Sequence, residues 1–523
     1  MISASRHLKR SCERDSPQPR FLSLTPNFSW VKLRPHQLKN CFNSFQRFNA
    51  STPHVTHVTY LTYVTLFLFL TGCALGPNYK RPSLGMPTDF RGAPQIASTN
   101  SLADLPWWRI FQDETLHELI RAALTNNYDL RIAITRVEQS RAVLIENRAL
   151  FFPELNYQGT IARGKNSANG AAVSNGGHTA DTFLLAGNAS WEIDFWGRIR
   201  RLNESARAQY LARQEARRDV MISVISDVAT AYFQLLALDR ALEIARRTTN
   251  SFGESLRIFS ERFQGGIVSK LETSAAEANL ASTAATVPDL ERQIVLVENR
   301  INILLGRNPG PVPRKQGLLQ QSTPDIPPGL PSSLLERRPD IREAEQNLRS
   351  ANAQIGVAVA NFFPQLSLTA LLGQVSPELS AFTAGSANAW SVAANLAGPI
   401  FQGGRLYGQY RQARAARDEA ALRYQSTVLN ALGEVSNALV AREKYAQAQV
   451  QQARAVQAYH TAVEVATDRY IAGRAGYFEV LQEQQQLFPA ENTLVMTQLN
   501  QLLAFVQLYR ALGGGWQTAD HAQ

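Results

Sequence analysis

The chain has 523 residues and a formal net charge of +10, and 45% of its residues are hydrophobic. The charge is unevenly placed: residues 1–54 hold nine Lys or Arg against two acids, a net of +7, and the remainder holds 44 against 41, a net of +3. Most of the basic character therefore belongs to the first 54 residues, which argues against a nucleic-acid partner for the rest.

The residue types that carry catalysis or bind metals are sparse. The three cysteines are Cys12, Cys41 and Cys73, and removal of a leader would leave only the last, so no internal disulfide is expected. No two histidines beyond residue 72 have metal-ligand spacing. The sequence contains neither a Gly-rich phosphate loop nor a nucleophile elbow. These features predict a protein that is not an enzyme and has no metal or cofactor. The histidines in question are His117, His178, His460 and His521.

An uncharged stretch, residues 51–72, ends in Leu70-Thr71-Gly72 and is followed by Cys73. Its length suits a secretory signal better than a membrane span, and its last residues resemble a bacterial lipobox. We therefore predict that residues 1–72 are a cleaved leader and that residues 73–104 are an extended segment lipidated on Cys73. Ala74 rather than Asp follows the cysteine, which favours sorting to the outer membrane. Several acyl chains would anchor the protein stably.

The chain contains an internal repeat with two constant offsets. A long repeat in constant register indicates duplication and an internal pseudo-twofold. It predicts repeats over 105–306 and 333–516, a Pro-rich linker over 307–332 and a tail over 517–523. Matches 211 residues apart are Asp129-Leu130-Arg131 with Asp340-Ile341-Arg342 and Phe151-Phe152-Pro153 with Phe362-Phe363-Pro364; those 207 apart are Gly197-Arg198 with Gly404-Arg405, Arg262 with Arg469, Gly266 with Gly473 and Leu305-Gly306 with Leu512-Gly513.

Residues 199–262 contain no proline and one glycine, Gly253, which predicts one long helix. Apolar residues follow a heptad pattern, which predicts left-handed supercoiling. A second apolar stripe beside the first would let the helix contact a neighbour on each side, although an ordinary helical hairpin would show the same pattern. Flanking helices are expected over about 112–150 and 272–305. The first stripe is Met221, Ile225, Val228, Tyr232 and Leu235, and the second is Ile222, Ala229, Phe233 and Leu236.

Two pairs of strands are predicted between the helices, near 155–163, 183–195, 366–372 and 390–396. Apolar and polar residues alternate there, as in membrane β-strands with an apolar outside and a polar lumen. A half-buried soluble sheet alternates in the same way. The intervening loops, 165–180 and 375–387, are rich in Gly, Ser, Asn and Ala. Four strands cannot close a barrel, because the smallest membrane barrels have about eight. A membrane sheet would therefore need strands from several chains.

Taken together, the ordered motifs resemble the TolC/OprM group of outer-membrane efflux proteins, and specifically its NodT-like lipoprotein branch. The resemblance covers about residues 73–516. The matching stretches are Cys73-Ala-Leu-Gly-Pro-Asn-Tyr-Lys-Arg-Pro82, Trp107-Trp108 with Phe111, Asn127-Tyr-Asp-Leu130, Leu335-Glu-Arg-Arg-Pro-Asp-Ile341, Phe362-Phe-Pro364 and Gly398-Pro-Ile-Phe401.

The resemblance implies a mostly α fold with a membrane β part. Duplicated helix–strand–strand–helix repeats would form a trimeric β-barrel and a long α-helical barrel. It also implies a lipid-anchored outer-membrane protein that extends into the periplasm. Its partners would be a periplasmic adaptor and an inner-membrane transporter, usually of the proton-driven RND class. The expected function is a passive gated conduit for small molecules such as drugs or toxic compounds.

The resemblance places the gate where the long helices turn back, at the closed periplasmic end beside the adaptor. A ring of carboxylates there would favour cations and a ring of phenylalanines would block water-filled passage, although the same glutamates would also suit a solvated surface. Some family members have an aspartate where Gln482 stands. The turn residues are Arg262, Gly266, Ser269, Arg469, Tyr470 and Gly473. The constriction residues are Leu271, Glu272, Phe478, Glu479 and Gln482.

Two other functions fit parts of the sequence. An exit duct for protein secretion would share the fold, but the predicted anchor on Cys73 argues against it. A structural coiled-coil lipoprotein or adhesin would share the helices, but it needs neither alternating strands nor a long internal repeat.

Overall fold

The structure, a computed structural model, describes residues 74–92, 102–165, 179–321, 329 and 331–514. The predicted leader, Cys73 and most of the loop 165–180 lie outside these residues. In the first half, the elements are α1 (Trp107–Ile110), α2 (Glu114–Asn126), α3 (Tyr128–Ala149), β1 (Glu154–Lys165), β2 (Thr179–Ile193), α4 (Arg198–Gln264), α5 (Lys270–Ala284) and α6 (Thr286–Leu304). In the second half they are α7 (Leu334–Arg337), α8 (Pro339–Ala360), β3 (Gln365–Ser376), β4 (Asn388–Ala397), α9 (Arg405–Ile471) and α10 (Tyr477–Ala511).

The two long helices, α4 and α9, have 67 residues each, which corresponds to about 100 Å. The prediction of one unbroken helix over 199–262 is confirmed. The order helix, strand, strand, long helix occurs twice, from α3 to α4 and from α8 to α9. Each long helix begins after a glycine with positive φ, Gly197 at 79° and Gly404 at 87°, a conformation that glycine adopts at low cost.

The flanking segments of the first half are each divided into two helices, so the expectation of single helices there is wrong. The first divides at Asn127, whose side-chain oxygen accepts a bond from the Leu130 amide at 3.0 Å and caps α3. The second divides at Ala285. Pro288 has no amide hydrogen to donate to the carbonyl of Ala284, four residues earlier, so the helical ladder is interrupted there.

Helix α4 forms the centre of the hydrophobic core. Nearly all of both apolar stripes predicted from the sequence are buried. The helix packs against α2, α3, α5 and α6 of the first half and against α8 and α10 of the second. An 18-residue window of α4 is apolar enough to cross a membrane, but 67% of it is buried in the chain, as expected for a core helix.

Helix α9 is less enclosed than its counterpart. Within the described residues, its main partners are α8 and α10, and several of its large apolar side chains are exposed. Apolar side chains on α3 are exposed as well. The described part of the chain therefore has one incompletely covered flank in each half. The exposed apolar residues are Leu422, Leu429, Val450 and Val465 on α9, and Ile132, Ile134, Val143 and Ile145 on α3.

The four described strands form one antiparallel sheet in the order β1-β2-β3-β4. The register places most of the large apolar residues of the four strands on the same face, because directly paired residues share a face. This face is open, with Tyr157 88% and Ile161 84% exposed. The opposite face carries mainly polar and small residues, and its large apolar residues are Leu184, Leu371 and Val375. Apolar-face residues include Leu155, Tyr157, Ile161, Leu185, Trp191, Leu366, Leu368, Leu372, Trp390, Val392 and Leu396.

Aromatic residues gather at the base of the sheet, where the strands meet the helices. Trp196 stacks on Phe363 with ring centroids 4.7 Å apart, and its indole nitrogen donates to the carbonyl of Pro364 at 2.7 Å. The indole nitrogen of Trp191 donates to the carbonyl of Phe151 at 3.1 Å. Trp and Tyr favour membrane interfaces because one end is apolar and the other polar.

The first described residues are held at this same base. The amide of Leu75 donates to the carbonyl of Trp196 at 3.1 Å, and the Arg201 side chain donates to the carbonyl of Leu75 at 3.0 Å and to the Asn78 side chain at 2.8 Å. A Cβ on Gly197 would lie 2.6 Å from the Cα of Ala74. Only glycine permits that approach, so the start of the segment is fixed beside the sheet.

Further along the same segment, Tyr79 and Arg81 contact a buried carboxylate on α8. Glu345, whose side chain is 3% exposed, accepts bonds from Tyr79 at 3.1 Å, from Arg81 at 3.0 Å and from Arg349 at 2.7 Å. Burial tends to raise the pKa of Glu345, but the bonds and charges of Arg81 and Arg349 outweigh burial and lower the pKa below its ordinary value of 4.5. The carboxylate therefore stabilises the fold in its charged form.

Replacing Glu345 with Gln should lower the free energy of unfolding by about 1–3 kcal/mol at neutral pH, because charged hydrogen bonds from two arginines are weakened. A group with a lowered pKa contributes stability above its unfolded-state pKa and loses it as the pH falls through the folded-state value. The difference between E345Q and the parent should therefore shrink below about pH 4.5. Thermal unfolding in detergent across pH measures it.

The matched control is Glu419→Gln, which breaks an exposed pair with Arg423 four residues along α9. Such a pair contributes about 0.3–0.5 kcal/mol. Equal effects of the two variants at neutral pH would contradict a special role for Glu345.

Candidate functional site: the helix-turn tips

The two long helices end in the same backbone motif. After α4, the amide of Gly266 donates to the carbonyl of Phe263 and the amide of Ile267 donates to that of Arg262, at 3.0 and 2.9 Å. After α9, the amides of Gly473 and Arg474 make the equivalent bonds at 3.0 and 2.8 Å. This is the Schellman arrangement, which requires a left-handed residue. Gly266 and Gly473 supply it, with φ of 71° and 67°.

Beyond the first turn, a capping box starts α5. The carboxylate of Glu272 accepts bonds from the Ser269 amide at 2.6 Å and from the Ser269 hydroxyl at 3.1 Å. Glutamate at this position satisfies an amide that the helix itself leaves unpaired. Glu272 therefore has a structural partner in addition to any role toward a pore.

The second turn uses its glutamate differently. Gly476 replaces the capping serine before α10, and Glu479 instead pairs with Arg469 at 3.0 Å. Both side chains of this pair are about half exposed, so the pair contributes little stability on its own. The sequence left open the alternative that Glu272 and Glu479 are solvated surface charges. In the structure, each of them has a protein partner.

The two helix turns, residues 262–273 after α4 and 469–482 after α9, are called the tips. They contact each other through Arg262 and Tyr470. The guanidinium of Arg262 donates to the Tyr470 hydroxyl, and its carbon lies 5.1 Å from the centroid of the Tyr470 ring. A cation over an aromatic ring contributes about 0.5–2 kcal/mol, depending on solvent exposure. The structure thus brings together two turn residues that are 208 positions apart in the sequence.

A small hydrophobic cluster lies between the tips and is separate from the main core. The Phe259 and Tyr477 rings are 4.3 Å apart in an edge-on arrangement, and the Tyr477 hydroxyl donates to Ser255. Sequence reasoning missed this cluster because Phe252 and Phe259, although seven residues apart, fall outside the register of both stripes predicted on α4. Its buried members are Phe252, Phe259, Ala276, Ala466, Tyr477, Val480 and Leu481.

The residues predicted to form the constriction stay outside this cluster. Leu271 is 78% and Phe478 70% exposed, and Gln482 is also exposed. Both apolar side chains follow a turn directly, within the first helical turn of α5 and α10. Both apolar side chains are therefore available for contact outside the described chain.

An ionic contact joins α4, α9 and α10 farther from the tips. Sequence reasoning missed this contact as well. Glu491 on α10 has a side chain that is 7% exposed, and it accepts two bonds from Arg247 of α4 at 2.5 and 2.6 Å. His460 of α9 lies 3.1 Å from the same carboxylate. The repeat gave no signal here, because Ala284 occupies the position equivalent to Glu491.

Comparisons with known proteins agree with this architecture. A family model described as outer membrane efflux protein matches residues 119–307 and again 330–514. The solvent efflux pump outer membrane protein SrpC of Pseudomonas putida is 35% identical over 460 residues, covering 87% of this chain and 98% of that protein. The cation efflux system protein CusC of Escherichia coli K12 is 32% identical over 452 residues, covering 86% and 97%.

Among solved structures, the outer-membrane channel OprN matches with a TM-score of 0.80 and 30% sequence identity. The match covers 85% of this chain and all of that chain. The fold is therefore that of the outer-membrane channels.

Replacing Gly266 with Ala should destabilise the first tip by about 1–2 kcal/mol, because a Cβ is strained in the left-handed conformation even though the surrounding space is open. Gly253, within α4, is the matched control. There an added Cβ meets only Leu280 at 4.0 Å, and alanine should stabilise the helix by about 0.5–1 kcal/mol. Thermal unfolding and protease cleavage near residue 266 measure both. Faster cleavage in G253A than in G266A would contradict the assignment.

Proposed function

This chain belongs to the outer membrane efflux protein family, and we propose that it is the outer-membrane channel subunit of a tripartite efflux pump, a passive gated conduit for small molecules. The observation that carries the proposal is the sheet. It presents an exposed apolar face, and the described strands leave the outer edges of β1 and β4 unpaired.

An unpaired strand edge cannot lie in lipid, because each unsatisfied backbone group there costs several kcal/mol. Closing the edge of β4 onto β1 of a second copy satisfies both, and repeating the step closes a ring. A barrel needs at least about eight strands, so two or more copies are required. We take three, the number that the TolC/OprM resemblance implies.

The helices support the same assembly. The open flank of α9 and the exposed apolar side of α3 belong to opposite halves of the chain, so contact between copies would be head-to-tail. Head-to-tail contacts produce closed rings when the rotation allows closure. Long helices arranged in such a ring would continue the barrel as a tunnel into the periplasm.

The position of the first described residues supports lipidation of Cys73. Ala74 lies against Gly197 and Leu75 is bonded to Trp196 at the aromatic base of the sheet. Acyl chains on the preceding residue would then enter the inner leaflet of the outer membrane beside the barrel. If the cysteine were held elsewhere on the fold, its acyl chains would not lie beside the barrel.

The proposed partners are a periplasmic adaptor at the tips and an inner-membrane transporter of the RND class. The exposed Leu271 and Phe478 suit either the constriction or the adaptor contact. The named relatives serve a solvent pump and a cation system. Such different cargoes on similar channels suggest that the transporter selects the substrate.

The test of the function is conduction by the purified protein. Native mass spectrometry should count three chains, and planar bilayers should show small conductance in the closed state. Phe478→Ala should raise the conductance, because it removes apolar bulk from each subunit at the proposed constriction. Phe401→Ala, an exposed phenylalanine at the base of the sheet, is the control and should leave the conductance unchanged. A monomer that still inserts would reject the shared barrel, whereas equal conductance in both variants would place the gate elsewhere.

Charge at the tips is tested separately. Glutamine also serves in a capping box, so Glu272→Gln removes a charge and keeps the start of α5. Combined with Glu479→Gln, it should weaken the preference for cations, measured as a reversal potential at fixed salt because screening depends on ionic strength. Unchanged selectivity in a folded trimer would assign these glutamates to local structure alone.

The anchor is tested by mass spectrometry of the protein from membranes. The mature chain should begin at Cys73, carry diacylglycerol and acyl groups, and yield no peptide from residues 1–72. Cys73→Ser should lose the lipid mass. Recovery of leader peptides, or of an unmodified Cys73, would refute lipidation.

A further inference from the structure

A cavity of about 400 Å³ opens on the apolar face of the sheet. Gly187 of β2 forms its floor, and the residues paired directly with it, Tyr157 on β1 and Leu372 on β3, stand on either side. An added Cβ on Gly187 would meet nothing nearer than the carbonyl oxygen of Leu372 at 3.8 Å. Glycine is therefore not needed to avoid a clash at this position, and its effect is to leave the space open.

Two amide side chains line the same cavity. Gln374 lies two residues after Leu372 and so shares its face of the sheet, and it pairs directly with Asn388 on β4. Within the described part of the chain, neither side chain makes a hydrogen bond to another residue. Their carbonyl oxygens and NH₂ groups are therefore open to a ligand.

The position of the amides on the sheet indicates what surrounds them. Gln374 and Asn388 form the last pair of the β3–β4 ladder, at the end away from the helices. Strands β1 and β2 extend farther, and their next pair on this face, Ile161 with Phe183, is apolar. In the proposed barrel this end faces the cell exterior, so the amides lie in the outer leaflet beside apolar side chains. An amide without a partner is strongly unfavourable in hydrocarbon, so a group of the lipid has to supply the partner.

We propose that the cavity binds one acyl chain of a lipopolysaccharide in the outer leaflet, with a 3-hydroxyacyl group bonded to Gln374 and Asn388. The inference rests on the proposed outer-membrane channel and adds a lipid ligand to it. The hydroxyl of such a chain donates to an amide carbonyl, and its acyl carbonyl accepts from an amide NH₂ group. The acyl ester of a phospholipid has acceptors only, so it would leave both amide carbonyls unpaired.

The apolar part of the chain is held by packing. Lipid tails are as apolar as leucine, so no hydrophobic gain accompanies the transfer of a tail from the bilayer to the protein surface. An empty gap would deprive Tyr157, Leu185 and Leu372 of contact atoms on one side, and an acyl chain restores those dispersion contacts. The cavity thus provides room for a chain, and the amides select the lipid that supplies it. Mutation can separate these two effects.

The first test uses the membrane-extracted trimer in nanodiscs of phosphatidylethanolamine that also contain a deep-rough lipopolysaccharide. Native mass spectrometry should find one lipopolysaccharide retained per subunit under conditions that strip phosphatidylethanolamine. Gly187→Phe should reduce the retained lipopolysaccharide by about tenfold, because the ring fills the cavity. The matched control is Val392→Phe, which adds a ring to the same face at a side chain that is 74% exposed. This control should retain as much lipopolysaccharide as the parent.

The second test leaves the cavity open and removes the amides. Gln374→Leu combined with Asn388→Leu keeps side chains of similar size but loses a hydrogen bond at each position. The preference for lipopolysaccharide over phosphatidylethanolamine should therefore fall by about tenfold or more. Because this variant does not depend on filling the cavity, it decides the question even if G187F fails to form trimers.

Equal retention of lipopolysaccharide by G187F and V392F would overturn the proposal, and so would a parent that retains phosphatidylethanolamine in its place. A parent that forms no trimers, or trimers that do not conduct, would reject the proposed function. Conducting trimers that retain no lipopolysaccharide would reject only this lipid site.

Discussion

The backbone hydrogen bonds of the sheet edges are the constraint from which the other features follow. The apolar face is exposed across all four strands, so water is a poor surrounding for it, and lipid offers no partner for the unpaired edges of β1 and β4. A single copy cannot satisfy both conditions. In the proposed assembly, closure with further copies would satisfy them together, and the helices below would form a ring of the same symmetry.

The two long helices differ in how far other elements cover them. Helix α4 is enclosed by elements of both halves, whereas its equivalent α9 has its main contacts on one side only. This difference has a simple origin: α4 has the second half as its neighbour within the chain, whereas α9 has no equivalent neighbour among the described residues. In the proposed ring, another copy would supply it. The exposed apolar residues of α9 and α3 are therefore the helical counterpart of the two strand edges, and the same ring would cover both.

Much of the fold was predictable because its signals are periodic. The long helix over 199–262, the four strands and the glycine turns depend on heptads, alternation and the φ requirement of glycine, all of which are local. The division of α2 from α3 at Asn127 was missed because a capping side chain interrupts an otherwise continuous apolar pattern. The tie of Arg247 with Glu491 was missed because it joins distant positions and has no equivalent in the first half.

At the tips, the repeat predicted which residues occupy equivalent positions, but it did not predict the contacts that these residues make. Glu272 and Glu479 occupy equivalent positions, yet one caps a helix and the other pairs with Arg469. The difference follows from one residue, since Ser269 offers a hydroxyl and an amide to Glu272, while Gly476 has no side chain to complete a capping box. Glu479 is thus left to pair with Arg469. Duplication set the positions of the charged groups, and divergence of their neighbours made the two tips unequal, so equivalent positions in the repeat do not imply equivalent roles.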